Sequence, residues 1–399
     1  MGKLRSRCTQ KTVIWLCWLV YAIAYLGRYS YNANISMIMD DYNISHATAG
    51  LVTTCFFFAY GIGQVINGFM CKKYNKTYLF PLVLISAAII NLLTFVVPFS
   101  FFKYMWLLNG ILQSCLWPSI INVLSDNIES KNMESALFIM GITATAGTVF
   151  AYGSSAFFAW IGNYRYMFVF AAVAMILIGV LWFLLFNNKP INIEKETLKN
   201  EDKTKFHISA VGALFIAMAL FAVVDNLVKD GINTWVPAIL TEKYSMKDEL
   251  SILSTIVLPI LGMLGATISV ELNKYIKNFV SLTTLFFAAS TICILLIITL
   301  GSLGPLFMLV CFGIVMCMMH AVNNIITSIV PLKMRGSINP GKAAGILNGF
   351  CYLGSTISSS GLGLIADIGG WEMVFKSLFV LSVACTVFGA LFAVRKRVN

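Results

Sequence analysis

The chain has 399 residues, 59% of them hydrophobic and only 11% charged, with a formal net charge of +11. A soluble globular domain carries about a quarter charged residues, so this composition excludes a soluble protein and describes one embedded in a lipid bilayer. The basic excess does not signal nucleic acid. Of the 28 lysines and arginines, 21 fall at the chain ends and in alternate loops, five in the loops between, and two inside apolar runs. That sorting is the positive-inside signature of a membrane topology.

Apolar runs recur along the whole chain, centred near residues 25, 58, 88, 114, 146, 175, 219, 260, 289, 317, 354 and 383. Each is near the ~20 residues a helix needs to cross a bilayer. An all-α integral membrane protein of twelve transmembrane helices is expected, multi-pass in the cell's inner (cytoplasmic) membrane, with both termini cytoplasmic. The first run, about 13–38, passes through Arg28 without a cleavage-like flank, so no cleavable signal peptide is expected. A guanidinium keeps its charge, and at a bilayer centre it costs at least ~2.5–3.5 kcal/mol. Gln64 interrupts the second run; Gln113 and Asn122 interrupt the fourth, where Trp117–Pro118 predicts a kink.

Residues 187–206 are the one long polar segment. They predict an N-terminal six-helix bundle over 1–186, a cytoplasmic linker, and a C-terminal six-helix bundle over 207–399. The seventh run, about 208–240, holds Asp225, Lys229 and Asp230, with Trp235–x–Pro237 as another predicted kink; His320, Asn323 and Asn324 interrupt the tenth. Most of the ten cysteines lie inside apolar runs, where a free thiol behaves as a small hydrophobe, and no CxxC is present. The three histidines have no metal-ligand spacing, and no hydrolase triad, P-loop or dinucleotide fingerprint occurs. Neither an enzyme nor a cofactor or metal site is expected.

The two halves echo each other. KYNK at 73–76 and KYIK at 274–277 are offset by 201 residues, as are Arg28 and Lys229, each followed four residues later by asparagine (Asn32, Asn233). IGNYRYMF at 161–168 matches IGGWEMVF at 368–375, offset by 207. A duplicated six-helix unit is the parallel repeat of two-lobed secondary transporters, and it puts one intramembrane cation at similar depth in each lobe. Snorkelling is poor at that depth, each being roughly 10 Å or more from a helix end. An anion-binding pair is the better reading.

Asp225, one helical turn before Lys229, is read either as a charge-neutralising partner of the lysine or as a proton carrier; Asp230 is placed at the cavity mouth. Tyr25 and Tyr21, three and seven residues before Arg28, share its helical face. Gln64, Gln113, Asn32, Asn233, His320 and Asn324 complete the candidate substrate-binding set, with interhelical bonding the alternative for each amide.

Several stretches resemble the major facilitator superfamily and, within it, the organophosphate–phosphate antiporters for glycerol phosphate and hexose phosphates. YLGRYSYNANI (25–35) is similar to that family's first-helix arginine motif, and AYGIGQVINGF (59–69) followed by KKYNK to its second helix and loop. GILQSCLWPS (110–119) resembles the fourth helix, KDGINTWVPAIL (229–240) the seventh and GKAAGILNGFCYLGS (341–355) the eleventh. The resemblance implies two pseudo-symmetric bundles of the major facilitator fold. It puts a phosphate-binding arginine at Arg28, a lysine at the second such position (Lys229) and a family tyrosine at Tyr25. The chain departs from the family at Gln64, where some members have lysine, and at Ala144, aligned with a binding histidine. It departs also at Lys72, where the cytoplasmic motif is usually acidic.

These readings predict a monomeric secondary transporter of a small anionic metabolite, a phosphorylated sugar or glycerol derivative, exchanged for inorganic phosphate by alternating access. A proton-coupled symporter working through Asp225 and a non-transporting sugar-phosphate sensor of the same fold remain open.

Overall fold

The computed structural model describes residues 9–186, 208–334 and 340–398, so the expected linker at 187–206 lies outside the described residues. The described residues form helices and connecting turns, with no strand among them. In chain order the helices are α1 (Gln10–Asn32), α2 (Ile35–Tyr42), α3 (His46–Met70), α4 (Lys76–Leu93), α5 (Phe102–Gln113), α6 (Leu116–Asn127), α7 (Ser130–Trp160) and α8 (Tyr166–Leu185). After the linker come α9 (Ile208–Tyr244), α10 (Asp248–Thr255), α11 (Val257–Leu272), α12 (Phe279–Leu300), α13 (Pro305–Asn324), α14 (Val330–Lys333) and α15 (Pro340–Val398). Local chemistry sets several starts. Thr9, Ser45, Asn75 and Asn278 each accept a backbone N–H bond from the first turn of the helix they cap.

Among the described residues, eleven helical stretches are long and apolar enough to cross a membrane. The last, Lys342–Ala393, has 52 residues, or ~78 Å at 1.5 Å per residue, more than twice a hydrocarbon core of ~30 Å. It is broken at Gly370, where φ is 67° and ψ −175°, a conformation open to glycine because it has no Cβ. One crossing lies on each side of Gly370, which brings the count among the described residues to the twelve expected.

Breaks within the spans have identifiable causes. Pro118 has no N–H for the carbonyl of Ser114, and the fourth span divides there into α5 and α6. Pro259 does the same to Thr255 between α10 and α11. Pro331 follows a five-residue π-helix, Ile325–Ile329, directly after Asn323 and Asn324; such wide turns recur at functional sites. Pro237 is different, because α9 runs on through it.

Consecutive spans alternate in direction. At one face Gln10 accepts bonds from Glu129 N–H and the Asn132 amide, and Trp182 donates to the Lys76 carbonyl. At the opposite face Tyr164 and Arg165 donate to Asp41, and Tyr244 donates to the Gly301 carbonyl. The perimeter is apolar, with Phe69, Val96, Phe138, Leu306 and Ile368 among many exposed large side chains. That is the expected surface where lipid replaces water. One hydrophobic cluster draws only on residues 13–186 apart from Ile252, while the larger joins later helices to α2, α3 and α5.

Along the middle of the molecule α3 packs on the first half of α15, and α7 packs on α10 and α11. Gly50 and Gly363 permit the first approach: a Cβ on Gly50 would meet the backbone of Ser359, and one on Gly363 the backbone of His46.

Candidate functional site

Between these helix pairs lies a cavity of about 270 Å³, just under the ~300–1,000 Å³ typical of pockets for drug-sized ligands. Both intramembrane cations line it, as do Tyr25, Asn233 and His320.

Arg28 is buried, with 5% of its surface exposed. The guanidinium carbon sits 4.4 Å from the ring centre of Tyr60, 4.5 Å from Tyr25 and 5.1 Å from Phe56. Its Nε and one terminal nitrogen both donate to Gln113 Oε1 at 3.4 Å. The amide is turned that way by a relay: Gln113 Nε2 donates to Asn109 Oδ1, and Asn109 donates to the Gly27 carbonyl. Gln113 is the last residue of α5, so the break that Pro118 imposes also sets where this amide stands. π-faces and a neutral amide oxygen stabilise the cation without neutralising it. Among the described residues no carboxylate lies within 4 Å of it.

Lys229 on α9 donates to Asn226 Oδ1 at 2.7 Å, and it too has no carboxylate in ion-pair range among the described residues. The expected pairing with Asp225 therefore does not form. Asp225 is fully buried, its Oδ2 accepts from the amides of Asn226 and Asn323, and its Oδ1 has no partner. Position along the helix brings the two residues to one side, and Asn226 bridges them, accepting from Lys229 through Oδ1 and donating to Asp225 through Nδ2. Asp230 lines the cavity, with Ser355 donating to its Oδ2.

The other candidates separate by location. Tyr21 meets Tyr25 edge to face and packs at a tilt against Trp117, behind the lining. Gln64 donates to Tyr60 and accepts from Asn348, bridging α3 and α15. Asn32 accepts from Thr53 and donates to Thr234. Asn324 turns away to Ser269, while its neighbour Asn323 faces the cavity. Of the expected set, Tyr21, Gln64, Gln113, Asn32 and Asn324 are thus outside the lining; the one-residue error at 323/324 reflects a helix phase that composition cannot fix. Ala144 does line the cavity. Tyr29, Asn226, Asn348 and Tyr352 line it without having been singled out, because a lone tyrosine or amide in an apolar run carries no signal of direction.

Pro237 has a specific consequence here. It offers no N–H to the carbonyl of Asn233, and Tyr152 of α7 fills the vacancy by donating its hydroxyl to that oxygen at 2.8 Å. Toward the face opposite the basic loops the halves are clasped again. His46 Nε2 lies 2.8 Å from Glu242 and Nδ1 2.7 Å from Asp367. Asp367 also accepts from the backbone N–H of His46 and Ala47, and Trp235 and Trp371 pack on the imidazole.

Known proteins share this architecture. The chain is 31% identical to the membrane sensor protein UhpC of Escherichia coli (strain K12) over 110 residues, a match spanning 27% of this chain and only 25% of that protein. It is 21% identical to the hexuronate transporter of Bacillus subtilis (strain 168) over 96% of this chain and 93% of that one. Among solved structures, a bacterial homologue of the human lysosomal transporter Spinster, inward-facing and occupied, superposes with a TM-score of 0.79 at 14% identity, covering 96% of this chain and 97% of that one. A D-xylose–proton symporter gives 0.72 at 11% identity, over 95% and 96%; at such identities the likeness speaks for the fold alone. The family model described as Major Facilitator Superfamily matches residues 17–340, and with that match, the twelve crossings and the central cavity, the chain belongs to the Major Facilitator Superfamily.

Proposed function

We propose that this superfamily member, a membrane transporter and not an enzyme, carries a small organic anion by alternating access, with Arg28 and Lys229 as its two cationic contacts. One observation carries the reading: two intramembrane cations from the two halves, Arg28 buried and Lys229 partly buried, line a single cavity, and among the described residues neither has a carboxylate in ion-pair range. Such charges raise the cost of closing the empty site, and an anion bridging them lowers it. Exchange follows when only the loaded protein reorients. A phosphorylated sugar or glycerol derivative exchanged for inorganic phosphate fits the first-helix motif around Arg28. The hexuronate transporter, similar along the whole chain, extends the candidates to sugar acids. The basic loops orient the protein with both termini cytoplasmic in the inner membrane.

Counterflow in proteoliposomes tests this. Vesicles preloaded with unlabelled sugar phosphate, uronate or inorganic phosphate should take up the labelled partner, and the Arg28→Ala variant should not. Failure of every anion to drive counterflow overturns transport. Two further readings have their own support. The unpartnered Asp225 Oδ1 fits a proton site, and accumulation driven by a pH jump, with no anion inside, would establish symport. The match to a membrane sensor protein fits a receptor, which would bind the anion without counterflow.

A further inference from the structure

Asp230 lines the cavity beside Lys229, oriented by the Ser355 hydroxyl. Its presence changes the charge the site presents. The charged side chains of the lining are Arg28, Lys229 and Asp230, for a net charge of +1. Asp225 stands behind the lining, and ionisation there only lowers that total. His320 also lines the cavity, through a ring whose Nδ1 lies 2.9 Å from the Met316 carbonyl. At pH 8 a histidine of ordinary pKa ~6.5 is neutral. A ligand with two negative charges therefore keeps one of them unbalanced, and giving up the hydration of that charge in a space with little water is costly.

We propose that Asp230 is a specificity-determining residue that makes the site select a monoanion, namely the carboxylate of a sugar acid or a phosphate ester in its singly charged form, over a phosphate dianion. The proposal rests on the anion-transporter reading above. Shape and hydrogen bonding then come from the neutral groups around the charges: the Asn226, Asn233, Asn323 and Asn348 amides suit hydroxyl groups on the carbon chain.

Isosteric esters separate charge from shape. A sulfate ester is a fixed monoanion, whereas a phosphate ester, with its second pKa about 6, is a dianion at pH 8. Binding to the purified protein at pH 8 is measured for glucose 6-sulfate against glucose 6-phosphate, glycerol 3-sulfate against glycerol 3-phosphate, and glucuronate. The monoanion of whichever pair binds should be tighter by about tenfold, because the second charge of the phosphate ester has to be desolvated without a cation to balance it. Asp230→Asn should close or invert the gap, and Asp230→Glu should preserve it. A tighter phosphate ester in the parent protein overturns the charge match while leaving the anion reading standing. An unchanged ratio in Asp230→Asn removes Asp230 from the explanation. If none of the five compounds binds, the anion reading itself falls, and this proposal with it.

Discussion

At the scale of single residues, Arg28 shows how a cation is kept ready in a membrane. Three ring faces at 4.4–5.1 Å, each contributing ~0.5–2 kcal/mol, offset most of an insertion cost of a few kcal/mol. The planar group is stacked on its faces and bonded at one edge by Gln113, which leaves the other edge for a ligand. A lysine has neither the plane nor the fork. Arg28→Lys should reach the membrane in normal amounts and lose transport, and uptake above about half the parental rate would refute the need for planar contact. Lys229, bonded to Asn226 through a single proton, behaves as a point charge. Lys229→Arg should keep binding and Lys229→Ala should lose it, as read by ligand-induced stabilisation; parental binding in Lys229→Ala would make the lysine structural. Both cations are legible in the sequence because charge inside an apolar run is rare. Phe56 and Tyr60 are not, since an aromatic residue in such a run reads as core, and only the tertiary fold brings their rings to the guanidinium.

Helices and their breaks transmit these positions. Trp117–Pro118 and Trp235–x–Pro237 predict kinks alike, yet one splits a helix and the other does not. The difference is where the freed carbonyl finds a donor, and at Asn233 the donor comes from the other half of the molecule, 81 residues away in sequence. No local pattern encodes such a partner. The bond makes a specific double-mutant test possible. Tyr152→Phe should leave the Asn233 carbonyl short of a donor and lower thermal stability, an unsatisfied buried group costing ~1–3 kcal/mol. In a Pro237→Ala background, residue 237 regains its N–H and can close the helix onto Asn233, so Tyr152→Phe should cost much less there. Equal losses in both backgrounds would show that the hydroxyl does not serve as the substitute donor.

At the scale of the whole molecule, twelve crossings and the sorting of basic residues are legible because hydropathy and charge are summed over many residues. The clasp at the opposite face is not, because its parts are 196 and 321 residues apart. His46 at the start of α3 is held between Glu242 at the end of α9 and Asp367 of α15, so one imidazole ties the first six spans to the last six. A rocking cycle has to break this clasp each time the site opens to that face. Both ring nitrogens face carboxylates, and only the doubly protonated ring donates to both at once. The neutral ring donates to one and leaves the other carboxylate against a lone pair. The two carboxylates are the charged groups facing the ring, and Trp235 and Trp371 cover it. Raising the pH at that face until the His46 ring loses its second proton should therefore loosen the closed form. A cysteine replacing Thr54, which bonds α15 at Thr356 and Ser360 between the clasp and Arg28, reports the opening through its rate of reaction with an impermeant maleimide. Cys55 has to be replaced beforehand, because it is a neighbouring thiol of intermediate exposure. Labelling should speed up as the pH rises, and His46→Ala should label fast at every pH, since it lacks the ring in both forms. Asp367→Asn should also label faster, with a weaker pH dependence, because Glu242 alone still attracts the imidazolium. If His46→Ala labels as slowly as the parent at low pH, the approach of α3 to α15 over Gly50 and Gly363 holds that face shut unaided, and the clasp does not govern its opening.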